Sequence, residues 1–156
     1  MKRDLTCAAI AAVSVVAVLV SGQIATFPNL EPWYQGLTKP SFNPPNWLFG
    51  PVWTVLYALM GFALWRVLRS TSPLKRVAAS LFYLQLLLNA AWSWMFFAAQ
   101  NPGAGVINII PQWFMIVATV VAFWRVDRLA GVCLMPLVAW VGFAALLNIA
   151  IWRLNA

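Results

Sequence analysis

Five apolar runs, each long enough to cross a membrane as a helix, dominate this chain of 156 residues. They cover residues 5–24, 47–68, 77–99, 104–124 and 129–152. Hydrophobic residues make up 63% of the chain and charged residues 8%, with a mean hydropathy of +0.83. These values exclude a soluble domain, a disordered tail and a nucleic-acid-binding module. We therefore predict an all-α, multi-pass membrane protein in which residues 1–156 form a single five-helix transmembrane domain.

The first apolar run follows Met1, Lys2 and Arg3, as in the charged start of a signal peptide. The run is long enough to span the membrane, and residues 19–22 do not form a convincing cleavage site with small residues. The sequence therefore favours a retained transmembrane helix.

The residue types that this chain lacks restrict its chemistry. It has no histidine, its three acids are Asp4, Glu31 and Asp127, and its two cysteines have no CxxC spacing. This composition excludes a metal or haem site held by histidine, a histidine-based triad and a paired-carboxylate hydrolase site. We predict neither a metal site nor a covalent cofactor.

The cations are distributed unevenly between the two ends of the predicted bundle. Eight belong to one end: Lys2, Arg3, Arg66, Arg69, Lys75, Arg76, Arg125 and Arg128. The other end has Lys39 and Arg153. In so apolar a chain, the net charge of +7 indicates the orientation of the helices in the membrane more often than it indicates a nucleic-acid partner. The positive-inside rule predicts a cytoplasmic N-terminus, with the protein in a bacterial cell membrane.

The longest connection, residues 25–46, is rich in proline and aromatic residues. It contains Pro28, Pro32, Pro40, Pro44 and Pro45, together with Phe27, Trp33, Tyr34 and Phe42. So many prolines predict a non-helical segment. Its aromatic content predicts that the segment folds back as a lid over one end of the bundle.

Several tryptophans lie too deep in their runs to be interfacial anchors. Trp47, Trp65, Trp124 and Trp152 lie at helix ends and fit an interfacial belt, whereas Trp53, Trp92, Trp94 and Trp140 do not. A deep indole N–H needs an acceptor, and Asn89 and Asn148 lie at similar depth. Two interpretations stay open: interhelical hydrogen bonds between these amides and indoles, or an aromatic cavity for a large flat ligand. Ala144 and Ala145 beside Trp140 favour the cavity.

Four stretches of the chain resemble the motifs of the translocator protein/tryptophan-rich sensory protein (TspO/MBR) family. They are WYQGLTKPSFNPPNW at 33–47, GPVWTVLY at 50–57, QLLLNAAWSWMFF at 85–97 and PLVAWVGFAALLN at 136–148. The resemblance implies five transmembrane helices, a homodimer and an intramembrane pocket that binds porphyrins such as protoporphyrin IX.

The resemblance also implies which residues form the pocket. Trp53 and Trp140 match the facing tryptophans implicated in porphyrin binding and in its light-dependent breakdown. The other pocket positions are Phe49, Tyr57, Asn89, Trp92, Ala144 and Leu147, and the lid positions are Trp33, Pro40, Pro44 and Pro45. A binding or sensory protein for porphyrins or similar flat apolar ligands is the expected function. Light-dependent porphyrin degradation and passive translocation or scaffolding of porphyrin, sterol or lipid are the alternatives.

Three departures from the family pattern affect these expectations. Leu137 follows Pro136 where the family has tyrosine, and no tyrosine precedes Arg153 as a sterol-recognition pattern requires. Sterol binding of the animal type is therefore not expected. Ala104 and Gly105 replace a tryptophan that is usual near the start of the fourth helix, which predicts a roomier pocket on that side.

Overall fold

The computed structural model describes residues 2–156, so Met1, the first residue of the predicted domain, lies outside it. The described residues form five long helices and no strand: α1 Lys2–Thr26, α2 Asn46–Arg69, α3 Lys75–Ser93, α4 Pro102–Val126 and α5 Arg128–Leu154. A π-helical turn, Trp94–Ala98, continues α3. All five helices are long and apolar enough to span a membrane, which confirms the predicted fold class.

The helices extend a few residues beyond the apolar runs because polar residues cap them. The side chain of Asn101 accepts a hydrogen bond from the backbone N–H of Ala104 at the start of α4. Asp127 accepts one in the same way from Ala130 at the start of α5. Such caps satisfy backbone donors that have no partner inside the helix. The predicted starts at residues 104 and 129 are therefore one or two residues late.

The first loop, residues 27–45, is more helical than its prolines predict. A 3₁₀ turn, Phe27–Asn29, and a π-helical turn, Leu30–Tyr34, follow α1 directly. Pro28 is accommodated at the start of the first turn, and Glu31 takes an extended conformation (φ −125°, ψ 135°), as residues before a proline prefer. The prediction of a non-helical 25–46 segment is thus wrong for residues 25–36, apart from the kink at Glu31, and for Asn46, which begins α2.

The helices follow the order α1, α2, α5, α4, α3 around the bundle. At one end, the guanidinium of Arg69 lies 3.6 Å from the carboxylate of Asp4, and that of Arg66 lies 2.7 Å from Asp127. These contacts bring the N-terminus and the α2–α3 and α4–α5 turns together, so the eight cations share one end, the cation end. The first loop and the C-terminus share the other end, the loop end.

The middle of the bundle and its cation end contain completely buried side chains. Met60, Ala63, Leu64 and Val67 of α2 are completely buried, and the rings of Phe82 and Phe123 stack with centroids 5.5 Å apart. Toward the loop end, Phe49, Trp53, Trp140 and Ala144 are only half-buried. Of the predicted pocket residues, these four are therefore half-buried, whereas Tyr57, Asn89 and Leu147 are buried.

Candidate ligand site beneath the first loop

Trp140 of α5 has a buried indole N–H that finds no acceptor among residues 2–156. Its ring lies edge-on to Phe49 of α2, with centroids 5.8 Å apart, and at the same distance from Phe143 on its own helix. Phe42 of the first loop meets Phe143 in turn at 6.3 Å. The indole therefore belongs to an aromatic wall that joins α2, α5 and the loop, and its donor is buried and unpaired among residues 2–156.

Trp53 also packs on the bundle core and not outward as a belt tryptophan would. It is half-buried, and its ring lies 5.6 Å from that of Tyr57, one turn further along α2. Ala144 packs against the same core. Trp47, by contrast, is 72% exposed at the start of α2, as the belt interpretation predicts.

Both deep amides named from the sequence, Asn89 of the predicted pocket and Asn148, are already paired with aromatic donors. The hydroxyl of Tyr57 donates to Oδ1 of Asn89 at 2.6 Å, and the indole N–H of Trp92 donates to Oδ1 of Asn148 at 2.9 Å. Asn148 also donates to the carbonyl oxygen of Pro102 at 2.9 Å. The interpretation as an interhelical bond between amide and indole is confirmed for Trp92 and Asn148. Asn89 bonds to a phenol instead of an indole, and Trp140 has no such bond among the described residues.

The lid residues contact a second aromatic cluster at the loop end. Trp33 meets Phe96 and Phe97 edge-on at 5.6 and 6.3 Å, and Leu147 belongs to the same cluster, which also includes Phe49 and Trp92. Since Trp92 also packs on the main core, it connects the two clusters. Among the lid prolines, Pro40 and Pro44 are half-buried, whereas Pro45 is exposed at the start of α2.

The expected extra room beside Gly105 is not present. A Cβ atom at Gly105 would lie 2.7 Å from Oδ1 of Asn148 and 3.0 Å from the ring of Phe96. These two side chains fill the space that a tryptophan on α4 would otherwise occupy. The prediction of a roomier pocket at this point of α4 is therefore wrong.

Two open apolar grooves lie elsewhere on the bundle. One, of about 420 Å³, runs between α1 and α2 and includes Tyr57. The other, of about 350 Å³, lies between α4 and α5 beside Trp113. Neither includes Trp53 or Trp140, so open space between these two indoles stays a prediction.

Sequence reasoning overlooked three buried amides and one indole. Gln85, Asn108 and Gln112 are more than nine-tenths buried, and their side-chain oxygens find no donor within residues 2–156. Each of these amides could have been recognised from its place inside an apolar run, because polar side chains in a membrane span usually face the bundle interior. Trp113 donates to the carbonyl oxygen of Val138 at 3.0 Å, which no sequence pattern indicates.

Comparison with known proteins shows the family of this chain. The model of the TspO/MBR family matches residues 9–153. The chain belongs to the TspO/MBR family. It is 44% identical to the tryptophan-rich protein TspO of Chlorobaculum tepidum, over 90% of each chain. It is 40% identical to the translocator protein of Sus scrofa, over 79% of this chain and 75% of that protein. The tryptophan-rich sensory protein of Cereibacter sphaeroides is 36% identical over 80% of this chain. Five apolar helices and membership of the TspO/MBR family together make it a multi-pass membrane protein.

Proposed function

We propose that this protein binds a large, flat, apolar ligand of the porphyrin class at the loop end of the bundle, between α2 and α5 and beneath the first loop. The observation that carries the proposal is the buried indole N–H of Trp140, which has no acceptor among the described residues. A buried donor without a partner costs about 1–3 kcal/mol, and a ligand acceptor would recover that cost. The names of the relatives, a sensory protein and a translocator, are compatible with ligand binding.

Aromatic stacking supplies the affinity in this proposal. Phe49, Phe143 and Trp140 offer ring faces and edges toward the loop end of the bundle, and Phe42 extends them toward the first loop. Aromatic pairs contribute about 0.5–1.5 kcal/mol each beyond the area they bury. A flat conjugated ring system gains most from such a wall.

Shape and stacking, more than a charged partner, would hold the ligand. Lys39 is the cation of the first loop, and its Nζ already donates to the carbonyl oxygens of Tyr34 and Leu37 at 2.6 and 3.2 Å. Its ammonium also lies 4.6 Å from the centre of the Tyr34 ring. Pairing of Lys39 with a ligand carboxylate would disrupt these contacts.

The test is titration of the purified protein with protoporphyrin IX, followed by the shift of the porphyrin absorbance band. Trp140→Phe should raise Kd about tenfold, because it removes the buried indole N–H that would donate a hydrogen bond to the ligand. Trp47→Phe is the matched control. This variant should leave Kd unchanged, because Trp47 is 72% exposed at the start of α2. Equal affinities of the wild type and Trp140→Phe would overturn the proposal.

The alternative functions stay predictions, and the same preparation tests them. Loss of the porphyrin band under light, but not in the dark, and faster than without protein, would support degradation. Faster flux of porphyrin into vesicles that contain the protein than into empty vesicles would support translocation. The homodimer also stays a prediction.

A further inference from the structure

An apolar groove of about 420 Å³ runs along the outside of the bundle between α1 and α2. Its lining extends from Ala8 to Leu19 on α1 and from Thr54 to Trp65 on α2, so at about 1.5 Å per residue it is about 16 Å long. This length is close to the depth of one leaflet of hydrocarbon, which is half of about 30 Å. Ala8 and Ala58 in the lining are exposed, so the groove is open to the surrounding lipid.

The polar side chains in the groove lining already have hydrogen-bond partners. Thr54 donates to the carbonyl oxygen of Gly50 at 2.9 Å, and the hydroxyl of Tyr57 donates to an amide oxygen of α3 at 2.6 Å. The indole N–H of Trp65 donates to the carboxylate of Asp4 at 3.1 Å. An apolar chain therefore suits this groove, since a gap left empty would forfeit the dispersion contacts of its walls.

One end of the groove leads to a charged cluster. On α2, Gly61 and Trp65 line the groove, and the same helical spacing continues to Arg69. On α1, Ala8 lines it, and Asp4 lies one turn earlier on the same face. The guanidinium of Arg69 lies 4.8 Å from the centre of the Trp65 ring and 3.6 Å from the carboxylate of Asp4. The groove therefore ends beneath an arginine at the cation end of the bundle.

The guanidinium of Arg69 keeps donors available to an anion. Its distance of 3.6 Å from Asp4 exceeds the usual hydrogen-bond length of about 2.7–3.2 Å, and its side chain is 50% exposed. Arg66, by contrast, already donates to the carboxylate of Asp127 at 2.9 Å. Because a planar guanidinium matches the oxygens of a phosphate, Arg69 can bind a phosphate with two of its N–H groups.

The charge around the groove end favours an anionic occupant. The cation end contains eight Lys and Arg side chains against two acids, Asp4 and Asp127, which is a net side-chain charge of +6. Clusters of this size at the end of a membrane helix attract anionic lipid headgroups. A neutral sterol gains nothing from this field, and a second copy in the same orientation would place its own cation end beside this one.

We propose that the α1–α2 groove binds one acyl chain of an anionic phospholipid, with the lipid phosphate bound to Arg69 at the cation end. Asp4 positions the guanidinium over the Trp65 ring, above the entrance to the groove. This site includes neither Trp53 nor Trp140, so it is separate from the proposed ligand site at the loop end and does not rest on it.

Two lipids that share their acyl chains test the charge part of the proposal. The purified full chain in neutral detergent is titrated with dioleoylphosphatidylglycerol, which is anionic, or with dioleoylphosphatidylcholine, which has no net charge. Bound lipid raises the melting temperature, and the concentration for half of that rise should be about tenfold lower for the anionic lipid. In 1 M NaCl, where charges are screened beyond about 3 Å, this ratio should shrink.

Variants of the arginine locate the headgroup. Arg69→Gln should remove most of the tenfold ratio, and Arg69→Lys, which keeps the charge but not the planar fork, should retain part of it. Arg76→Gln is the matched control, because it removes the same charge at the same end but from α3, away from the groove. A ratio that survives in Arg69→Gln, or that falls equally in Arg76→Gln, would overturn the proposal.

Variants of the groove wall locate the acyl chain. Ala12→Phe fills the groove and should raise the half-maximal concentration of both lipids. Ala9→Phe is the matched control, because Ala9 is equally exposed on α1 but lies outside the lining. An unchanged response to both lipids in Ala12→Phe would overturn the proposal. If that variant also turned a dimer into a monomer, the occupant would be a second copy of this chain.

Two further outcomes complete the test. Stabilisation by cholesterol at a lower concentration than by the anionic lipid, or equal stabilisation by the two phospholipids, would also overturn the proposal. Titration with protoporphyrin IX should be the same for Arg69→Gln and the wild type. Failure of the lipid site therefore leaves the proposed function at the loop end unaffected.

Discussion

The indole N–H of Trp92 on α3 donates a 2.9 Å hydrogen bond to Oδ1 of Asn148 on α5, and Asn148 in turn donates to the carbonyl oxygen of Pro102 at the start of α4. One amide side chain therefore joins three helices at the loop end. Asn148 is only 2% exposed, so water does not replace these bonds when the side chain is removed.

Asn148→Leu should consequently lower the free energy of unfolding by about 1–3 kcal/mol, because the Trp92 donor and the Pro102 acceptor are left unpaired in the interior. Unfolding of the purified protein in mixed detergent measures this change. Ser21→Ala is the control: Ser21 accepts from the indole of Trp94 at 3.0 Å, but Trp94 is 47% exposed. It should cost less than about 0.5 kcal/mol. Equal losses in the two variants would contradict the buried role of Asn148.

Gly105 is predicted to tolerate no side chain. An alanine Cβ there would lie 2.7 Å from Oδ1 of Asn148 and 3.0 Å from Phe96, so Gly105→Ala should destabilise the protein by about 1–3 kcal/mol through overpacking. A Cβ at Gly50 would meet nothing within 4 Å, so Gly50→Ala should be neutral or stabilise α2 by up to about 1 kcal/mol. The two variants are compared by their melting temperatures in one detergent, and a stable Gly105→Ala protein would contradict this packing.

The ion pair between Arg66 and Asp127 predicts a pH-dependent stability. The hydrogen bond from the Arg66 guanidinium, aided by the backbone N–H of Ala130, holds the pKa of Asp127 below its usual value. A lowered folded-state pKa means that the stabilisation is present above the unfolded-state pKa of about 3.9 and is lost as the pH falls through the folded-state pKa.

Asp127→Asn isolates this effect, because asparagine can still cap α5 while it removes the ion pair. At pH 7 the variant should be less stable than the wild type by about 0.5–1 kcal/mol, since both side chains are partly exposed. The difference should shrink as the pH is lowered below 4. Melting curves of both proteins at pH 7 and pH 3 measure this difference in stability. The same difference at both pH values would show that the pairing of Arg66 and Asp127 is not electrostatic.

Sequence patterns predicted the five spans correctly because each helix in a membrane needs its own apolar run, and such runs are visible in one sequence. The helical turn at Leu30–Tyr34 was not predicted, because the sequence contains Pro28 and Pro32 there. A proline breaks a helix in its interior but is tolerated in its first turn. The sequence named Asn89 and Asn148 as acceptors for the deep indoles, but it could not predict which amide bonds to which indole, because Trp92 and Asn148 are 56 residues apart and meet only through the packing of α3, α4 and α5. The small residues Ala144 and Ala145 beside Trp140 are the one sequence feature that set this indole, whose donor is unpaired among the described residues, apart from Trp92.

Asn155 is predicted to hold the first loop in place. Its side-chain amide pairs with the backbone of Thr38 through two hydrogen bonds of 2.9 Å, and it also donates to the carbonyl oxygen of Ile151 at 2.8 Å. Asn155→Ala removes the two bonds to the loop, so amide hydrogen exchange of residues 37–45 should become faster while that of α5 changes little. Thr38→Ala is the control, because the bonds use only the backbone of Thr38. Unchanged amide hydrogen exchange of residues 37–45 in Asn155→Ala would show that Asn155 does not hold the first loop in place.

The distribution of cations predicts the orientation of the bundle in a bacterial membrane. The salt bridges of Arg66 and Arg69 place eight Lys and Arg residues at the end that includes the N-terminus, against Lys39 and Arg153 at the loop end. The positive-inside rule predicts that the cation end is cytoplasmic and that the loop end with the C-terminus lies outside. A C-terminal alkaline phosphatase, active only outside the cytoplasm, should therefore be active, and a green fluorescent protein fused there should be dark. The same reporters fused after Leu74, in the α2–α3 turn, should give the opposite pattern. A fluorescent C-terminal fusion would place the first loop and the proposed ligand site on the cytoplasmic side.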